Sequence, residues 1–371
     1  MSNVVRAPVP PQHLISELLR LLLAGDTARA SALLVAAADD TDPLCKLLLQ
    51  SRLAGYFHML ASSELPLAAC LSPGCMAALE AAAEQQLARA SRCRALVATV
   101  NNELTTAGIP FLILKGLYLG QRFFGAMDKR FMWDVDILVP PQDLALAVQV
   151  LSKAGLHPPP GAQLDPRNRL WGIHATEVRG DAGAVDIHHT IRRLPGIQFD
   201  NARMWEHAQT FSVAGTPYRT LSDLDTLLTV AVGLGADIQT GQHNLRKIWD
   251  LYMILRGLDP DTDWDAFLAN RRVEGSLQLV LNVLAFCLLL LDAGSDCPRL
   301  VQALERRREL LLIATAQQAL VVYDRPRRHL RNRLLIARML PVSMPRYWAG
   351  WFLTVPARLW HHRKPHKSRP Q

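Results

Sequence analysis

Hydrophobic periodicity changes twice along this 371-residue chain, and those changes constrain its fold more than any single residue does. From about Gln12 to Gly108 apolar positions recur at three- and four-residue spacing in LISELLRLLL, CKLLLQSRLAGYFHML and MAALEAAAEQQLARASRCRALVATVNNEL, which predicts helix after helix. Beyond Gly108 the pattern becomes short β-type runs: FLIL at Phe111–Leu114, VDILV at Val135–Val139 and AVDIH at Ala184–His188. A helix is expected between the first two, from about Gly116 to Phe124. A second follows Pro140 and Pro141 and stops at Gly155, the usual places for proline and glycine. The run Pro158–Pro166 reads as a loop before a strand near Leu170–Val178. From Leu221 helical spacing returns in SDLDTLLTVAVGL, NLRKIWDLYMILRGL, SLQLVLNVLAFCLLLL and LVQALERRRELLLIATAQQALVVYD. The expected fold is α+β and mostly helical: a helical region over 1–108, an α/β core over 109–220 with a small mixed sheet, a helical domain over 221–324 and a basic, aromatic tail over 325–371.

A composition of 50% hydrophobic and 20% charged residues excludes intrinsic disorder and collagen-like repetition. The uncharged run Gly275–Leu291 is broken by Ser276, Gln278 and Asn282 and falls short of the ~20 residues of a membrane span, so a buried helix is expected there. Six cysteines without a CxxC pair support neither a zinc ribbon nor a disulfide framework and suit a reducing cytoplasm. No secretory signal is read in Met1–Pro10, and the Leu-rich stretch that follows carries Glu17 and Arg20.

The residues richest in chemistry are Asp134 and Asp136 in RFMWDVDILVP. Side chains two apart on a strand share a face, so two carboxylates at a strand's start stand side by side and repel unless a divalent cation, a shared proton or ample water relieves them. Hard oxygen ligands at this spacing suit Mg²⁺ or Mn²⁺. Asp186, in AVDIHH, has the same apolar context on a strand that could lie next to the first. Three carboxylates on adjacent strands would hold two metal ions of the kind that serve phosphoryl and nucleotidyl transfer. Strand-end caps or solvated edge residues are the alternative. Of His188 and His189, only His188 shares the face of Asp186, and a structural hydrogen bond is expected of either.

In FLILKGLYLG a strand turns into a helix at Lys115-Gly116, where backbone N–H groups favour phosphate and Lys115 could add a point charge. A plain strand-to-helix turn with a snorkelling lysine is the competing reading. Arg130, four residues before Asp134, has a fork suited to phosphate or to a supporting carboxylate; a surface arginine explains it equally well. Trp249, Tyr252 and Trp264 are expected in the core rather than stacked on a base. Arg246, Lys247 and Asp250 either border a cleft or form a solvated charge cluster.

Taken in order, GIPFLILKG, RFMWDVDILV, LSKAGL and VDIHH resemble the uncharacterised nucleotidyltransferase family of the DNA-polymerase-β-like superfamily, with the closest correspondence over about Ser91–Arg192. Downstream, LSDLDTLLTVAVGL and LRKIWDLYMIL resemble the family's helical segment. The resemblance implies a metal-dependent enzyme that moves a nucleoside monophosphate from an NTP to an acceptor. It implies that Asp134, Asp136 and Asp186 are catalytic metal ligands for Mg²⁺ or Mn²⁺, and that Lys115, Gly116 and Arg130 bind the nucleotide. Two departures stand out: Lys-Gly replaces the superfamily's usual Gly-Ser, and AVGLGADI lacks a histidine that members often carry there.

The net charge of +8 belongs to the tail, which holds 12 Lys and Arg and no acid from Arg325 onward, leaving the rest of the chain acidic. Basic residues interleaved with Trp, Tyr, Phe and Leu suit an anionic membrane surface, ahead of nucleic acid as a partner. The expected location is cytoplasmic, at the inner membrane face where the tail docks. A non-catalytic adaptor that docks by this tail to a membrane-associated biosynthetic assembly is the alternative function.

Overall fold

A computed structural model describes residues 11–341 except 38–40, 63–64, 66, 161–174, 192–193, 195, 198, 242–243 and 325–328. The tail beyond Pro341, the residues before Pro11, most of the Pro158–Pro166 run and the start of the strand expected near Leu170 therefore lie outside the described residues.

The N-terminal helices are α1 (Pro11–Leu23), α2 (Thr27–Ala36), α3 (Thr41–Ser51), α4 (Ala54–Ala61), α5 (Leu67–Cys70) and the long α6 (Pro73–Thr106). Helix α6 starts where Ser72 accepts a hydrogen bond from the Cys75 amide at 3.2 Å and Pro73 occupies the first turn, a strong helix start. The α/β part follows as β1 (Leu112–Leu114), α7 (Gly116–Phe123), β2 (Val135–Leu138), α8 (Leu144–Lys153), β3 (Ala175–Gly180), β4 (Gly183–His188), α9 (Asn201–Glu206), β5 (Gln209–Val213) and β6 (Thr216–Thr220). The C-terminal helices are α10 (Asp223–Thr240), α11 (Leu245–Leu258), α12 (Trp264–Val273), α13 (Leu277–Leu291), α14 (Pro298–Glu305), α15 (Ala316–Asp324) and α16 (His329–Met339).

The strands form one mixed six-stranded sheet in the order β3-β4-β2-β1-β6-β5. β2 runs parallel to β4 and antiparallel to β1, with Asp136 facing Asp186 and Leu138 facing His188 across the first pair. Alternation along β2 then turns Val135 and Ile137 into the apolar cluster beneath the sheet and puts Asp136 on the opposite face, with Leu138 buried on that face in the other cluster. The β5–β6 hairpin is not anticipated by the sequence reading. It turns through Ala214 and Gly215 at φ 49° and 83°, the primed geometry that matches strand twist. Pro217, which cannot donate to a ladder, disguises β6.

Two apolar clusters hold the molecule together. One packs α6 and α8 against the sheet, through Leu96, Val97, Val100, Ile113, Ile137, Leu151 and Val185. The other joins the N-terminal helices to the C-terminal ones, with Leu18, Leu48, Phe57, Trp249, Tyr252 and Phe286 in a single body. Trp249, Tyr252 and Trp264 are core residues, as expected. Gly275–Leu291 is a buried helix, α13, and no helix among the described residues is long and apolar enough to cross a membrane. Each fully buried Leu there contributes about 1.5–3 kcal/mol.

Two expected helices are interrupted. CKLLLQSRLAGYFHML breaks at Arg52, which takes φ 59° between α3 and α4. The run LVQALERRRELLLIATAQQALVVYD splits into α14 and α15 around an extended stretch. That stretch is captured by buried Asn282: its Oδ1 accepts from the Leu312 and Ile313 amides at 2.6 and 2.9 Å, and its Nδ2 donates to Leu310 O at 3.2 Å. Helix α16, inside the segment expected as tail, packs Ile336, Ala337 and Met339 into the core.

Candidate active site

The register of β2 against β4 assembles the centre of the site. Asp136 and Asp186 are cross-strand partners, His188 lies two residues beyond Asp186 on the same face, and one ligand atom from each of the three falls within 4.8 Å of the others. His188 Nε2 is 2.9 Å from Asp136 Oδ1. The expected structural hydrogen bond of His188 therefore exists, and it places the ring inside the acidic group. Asp134 does not join that group. It precedes β2, outside the ladder, so the i/i+2 spacing alone does not seat it against Asp186. It lines the same cavity and is electrostatically coupled to both other carboxylates.

The electrostatics separate the carboxylates. Burial, with the charges of Asp136, Asp134 and Glu177, pushes Asp186 up to about 7. Burial and Asp136 push Asp134 up to about 6. Burial acts on Asp136 in the same direction, but Lys115 and His188 outweigh it and hold this carboxyl well below the usual range. Two oxygen donors and an imidazole, with one of the carboxyls crowded enough to hold its proton near neutrality, fit a divalent cation such as Mg²⁺ or Mn²⁺.

Lys115 and Gly116 stand at the β1–α7 turn, beside that centre. β1 ends at Leu114, the register partner of Asp136, so the next side chain reaches the carboxylate: Lys115 Nζ is 3.3 Å from Asp136 Oδ1. The turn is made with Lys115 at φ 44° and ψ −105°, a conformation disfavoured for any residue with a Cβ. Gly116 opens α7, and its carbonyl accepts a 3.5 Å hydrogen bond from Arg130 Nη1.

Arg130, expected at the nucleotide phosphates, is committed elsewhere. Its Nε and Nη2 donate to the two oxygens of Asp250, both at 2.8 Å, in a buried bidentate pair. The pair ties the loop before Asp134 to α11. Planar fork matches planar carboxylate, which is why this arginine turns toward the protein. Only Nη1 remains beside Gly116.

Above the sheet, α10 and α11 complete a cavity of about 350 Å³ lined by Lys115, Gly116, Arg130, Asp134, Asp136 and His188, with Asp186 at its flank. Asn244 starts α11 by accepting from the Lys247 amide at 3.1 Å, and this sets Arg246 and Lys247 in a first turn that faces the cavity. Lys247 Nζ donates to Asp237 on α10 at 2.5 Å. Arg246, Lys247 and Asp250 thus border the cleft, one of the two readings their spacing allows. In AVGLGADI, Gly233 faces the cavity with nothing within 4 Å of where a Cβ would stand, whereas Gly235 packs against Leu279.

The lining also includes Arg52, which has no sequence signal: it enters only because α3 stops where it does. The arrangement can bind a cation at one end and a polyanion along its length, and its size is that of a small-molecule site.

A sequence family described as "Uncharacterised nucleotidyltransferase" matches residues 37–292. No curated protein matches the chain. Among solved structures, the antibiotic-resistance factor ANT(2'')-Ia is similar at a TM-score of 0.35 and 11% identity, over 48% of this chain and 90% of its own. That likeness is slight.

Proposed function

Because the chain belongs to the uncharacterised nucleotidyltransferase family, whose match spans both the sheet and the helices that line the cavity, we propose that it moves a nucleoside monophosphate from an NTP to an acceptor at this site. The observation that carries the proposal is the meeting of Asp136, Asp186 and His188 at one end of a cavity walled by cationic side chains.

Asp136 and Asp186, with His188 as a third donor and Asp134 at the rim, would hold Mg²⁺ or Mn²⁺, up to the two ions the carboxylate pattern suggests. When bound, the metal supplies charge neutralisation at the α-phosphate and makes the acceptor group easier to deprotonate. The chain's own residues do the rest. Lys115 sits where the phosphates would pass and gives Asp136 its counter-charge in the absence of metal. The amides at the start of α7 add partial positive charge next to Gly116. Arg130 holds Asp250 and the Gly116 carbonyl, which fixes the turn, so its contribution to nucleotide binding is positional. Asp136 is already ionised at neutral pH, with Lys115 and His188 beside it, whereas Asp186, pushed up to about 7, would give up a proton to a bound cation.

The test is direct. Purified chain incubated with each labelled NTP, Mg²⁺ or Mn²⁺ and a cell extract should release pyrophosphate and label an acceptor, and one nucleotide with metal should raise the melting temperature. Neither transfer nor stabilisation by any nucleotide would sink the enzyme and leave an adaptor.

A further inference from the structure

Helix α3 ends in a paired-bond cap: the Arg52 amide donates to Leu49 O at 3.1 Å and the Leu53 amide to Leu48 O at 2.9 Å. The residue at the turn of such a cap takes a left-handed conformation, and glycine does so at least cost. Here it is Arg52 at φ 59°. Four residues other than glycine have positive φ among the described residues, and two of them, Arg52 and Lys115, line the cavity. Backbone strain at Arg52 therefore coincides with a side chain delivered to the site.

The guanidinium of Arg52 stands 4.9 Å from the ring centre of Phe131 and 4.6 Å from that of Trp133, the stacked pair just before Asp134. Arg89 lies 4.1 Å from the same indole. Arg246 donates to Phe131 O at 3.4 Å from Nη1, which is 3.7 Å from the Asp250 oxygen that Arg130 already engages at 2.8 Å. Its Nε is buried with no hydrogen-bond partner. Lys115 and Lys247, which also line the cavity, pair with Asp136 and Asp237. Burial, and the like charges of Arg130 and Arg52, make Arg246 less able to hold its proton than a free arginine, which marks how closely these cations crowd.

We propose that Arg52 and Arg246 form an anion seat in the wall of the cavity, built for a phosphate group with more than one negative charge. A bound phosphate would meet the unpartnered Arg246 nitrogen, relieve the crowding, and be oriented by two planar forks. That phosphate belongs either to the far end of the nucleotide's triphosphate or to the acceptor. The ownership question rests on the nucleotidyltransferase reading; the seat itself does not.

The experiment uses the full chain in EDTA at low salt, with sodium tripolyphosphate as probe in titration calorimetry. The parent should bind, and Arg52→Gly and Arg246→Gln should each weaken binding about tenfold or more. Arg52→Gly should melt within a few degrees of the parent, since glycine's ease in that cap offsets the lost contacts with Phe131 and Trp133; this separates a binding role from a structural one. NTP titrations with Mg²⁺ then assign ownership: a parallel loss of nucleotide affinity makes the seat the triphosphate's, while unchanged nucleotide affinity makes it the acceptor's. Tripolyphosphate affinity equal in the parent and both variants, or no binding by the parent, overturns the seat. Absence of transfer activity in the parent, with tripolyphosphate binding intact, would count against the nucleotidyltransferase reading and not against the seat.

Discussion

Asp186 carries a carboxyl near 7 because it is buried beside two other acids on neighbouring strands, and this fixes a pH signature. A carboxyl raised in the folded state binds a proton that the unfolded chain has already released. Between the ordinary value near 4 and about 7, the metal-free fold is therefore destabilised as pH rises. A divalent cation reverses the sign, since it replaces the proton. Stabilisation by Mn²⁺ should accordingly grow between about pH 5.5 and pH 8, with proton release seen in calorimetry. Asp186→Asn should abolish that growth while the metal-free chain stays folded, because a neutral amide relieves repulsion. An Mn²⁺ response that is flat with pH would rule the cluster out as a metal site. Arg130 predicts the opposite kind of loss. Its buried pair with Asp250 leaves an unpaired charge when either member is removed, so Asp250→Asn should cost about 3–5 kcal/mol in urea unfolding, and Arg130→Lys, without the fork, should not restore it. The meeting of Asp136 with Asp186 was legible from residue type and strand context, and alternation put His188 on the face of Asp186. The commitment of Arg130 to Asp250 was not, because its partner lies 120 residues away on another element.

The β1–turn–α7 unit shows what an element can hide. Its strand, glycine and helix are readable from FLILKGLYLG, but not the left-handed backbone that throws Lys115 onto Asp136. Lys115→Gly relieves about 1 kcal/mol of backbone strain but removes the counter-charge of buried Asp136, so stability should change little while nucleotide affinity falls. Coupled loss of both would mean the lysine is structural. The same limit applies to the helical elements. Spacing in LVQALERRRELLLIATAQQALVVYD favours one helix, and the interruption depends on Asn282 supplying hydrogen bonds from α13. Asn282→Leu, although it lengthens an apolar run, leaves two amides without their acceptor and should destabilise by about 1–3 kcal/mol for each that stays buried, measured as a lower urea midpoint. Local periodicity carries helix and strand; tertiary capture of backbone groups, like the Pro217 hairpin, has no period to read.

At the scale of the whole molecule, the chain divides differently in packing than in periodicity. The change at Gly108 separates a helical lead-in from the α/β part along the sequence, yet the lead-in shares its apolar cluster with α10–α16, on the far side of the sheet in chain order. Ser16 Oγ donates to Leu291 O at 2.8 Å, and Arg20 grips Asp296 at 2.7 and 2.9 Å while Tyr252 OH donates to the same carboxylate at 2.6 Å. These bonds clasp the two ends of the fold around the element that carries Asp250 and Arg246. The cavity is consequently walled by all three parts: Arg52 from the lead-in, the carboxylates from the sheet, and Arg246 from α11. A chain cut to residues 109–324 would expose the apolar face of α13 that α1 now covers and lose the part of the shared cluster that Leu18, Leu48 and Phe57 supply. It should fail to fold, giving no cooperative thermal transition and dispersing few amide resonances. A cooperatively folded 109–324 fragment that still binds tripolyphosphate would mean that the lead-in is an independent appendage, and would take Arg52 out of the site.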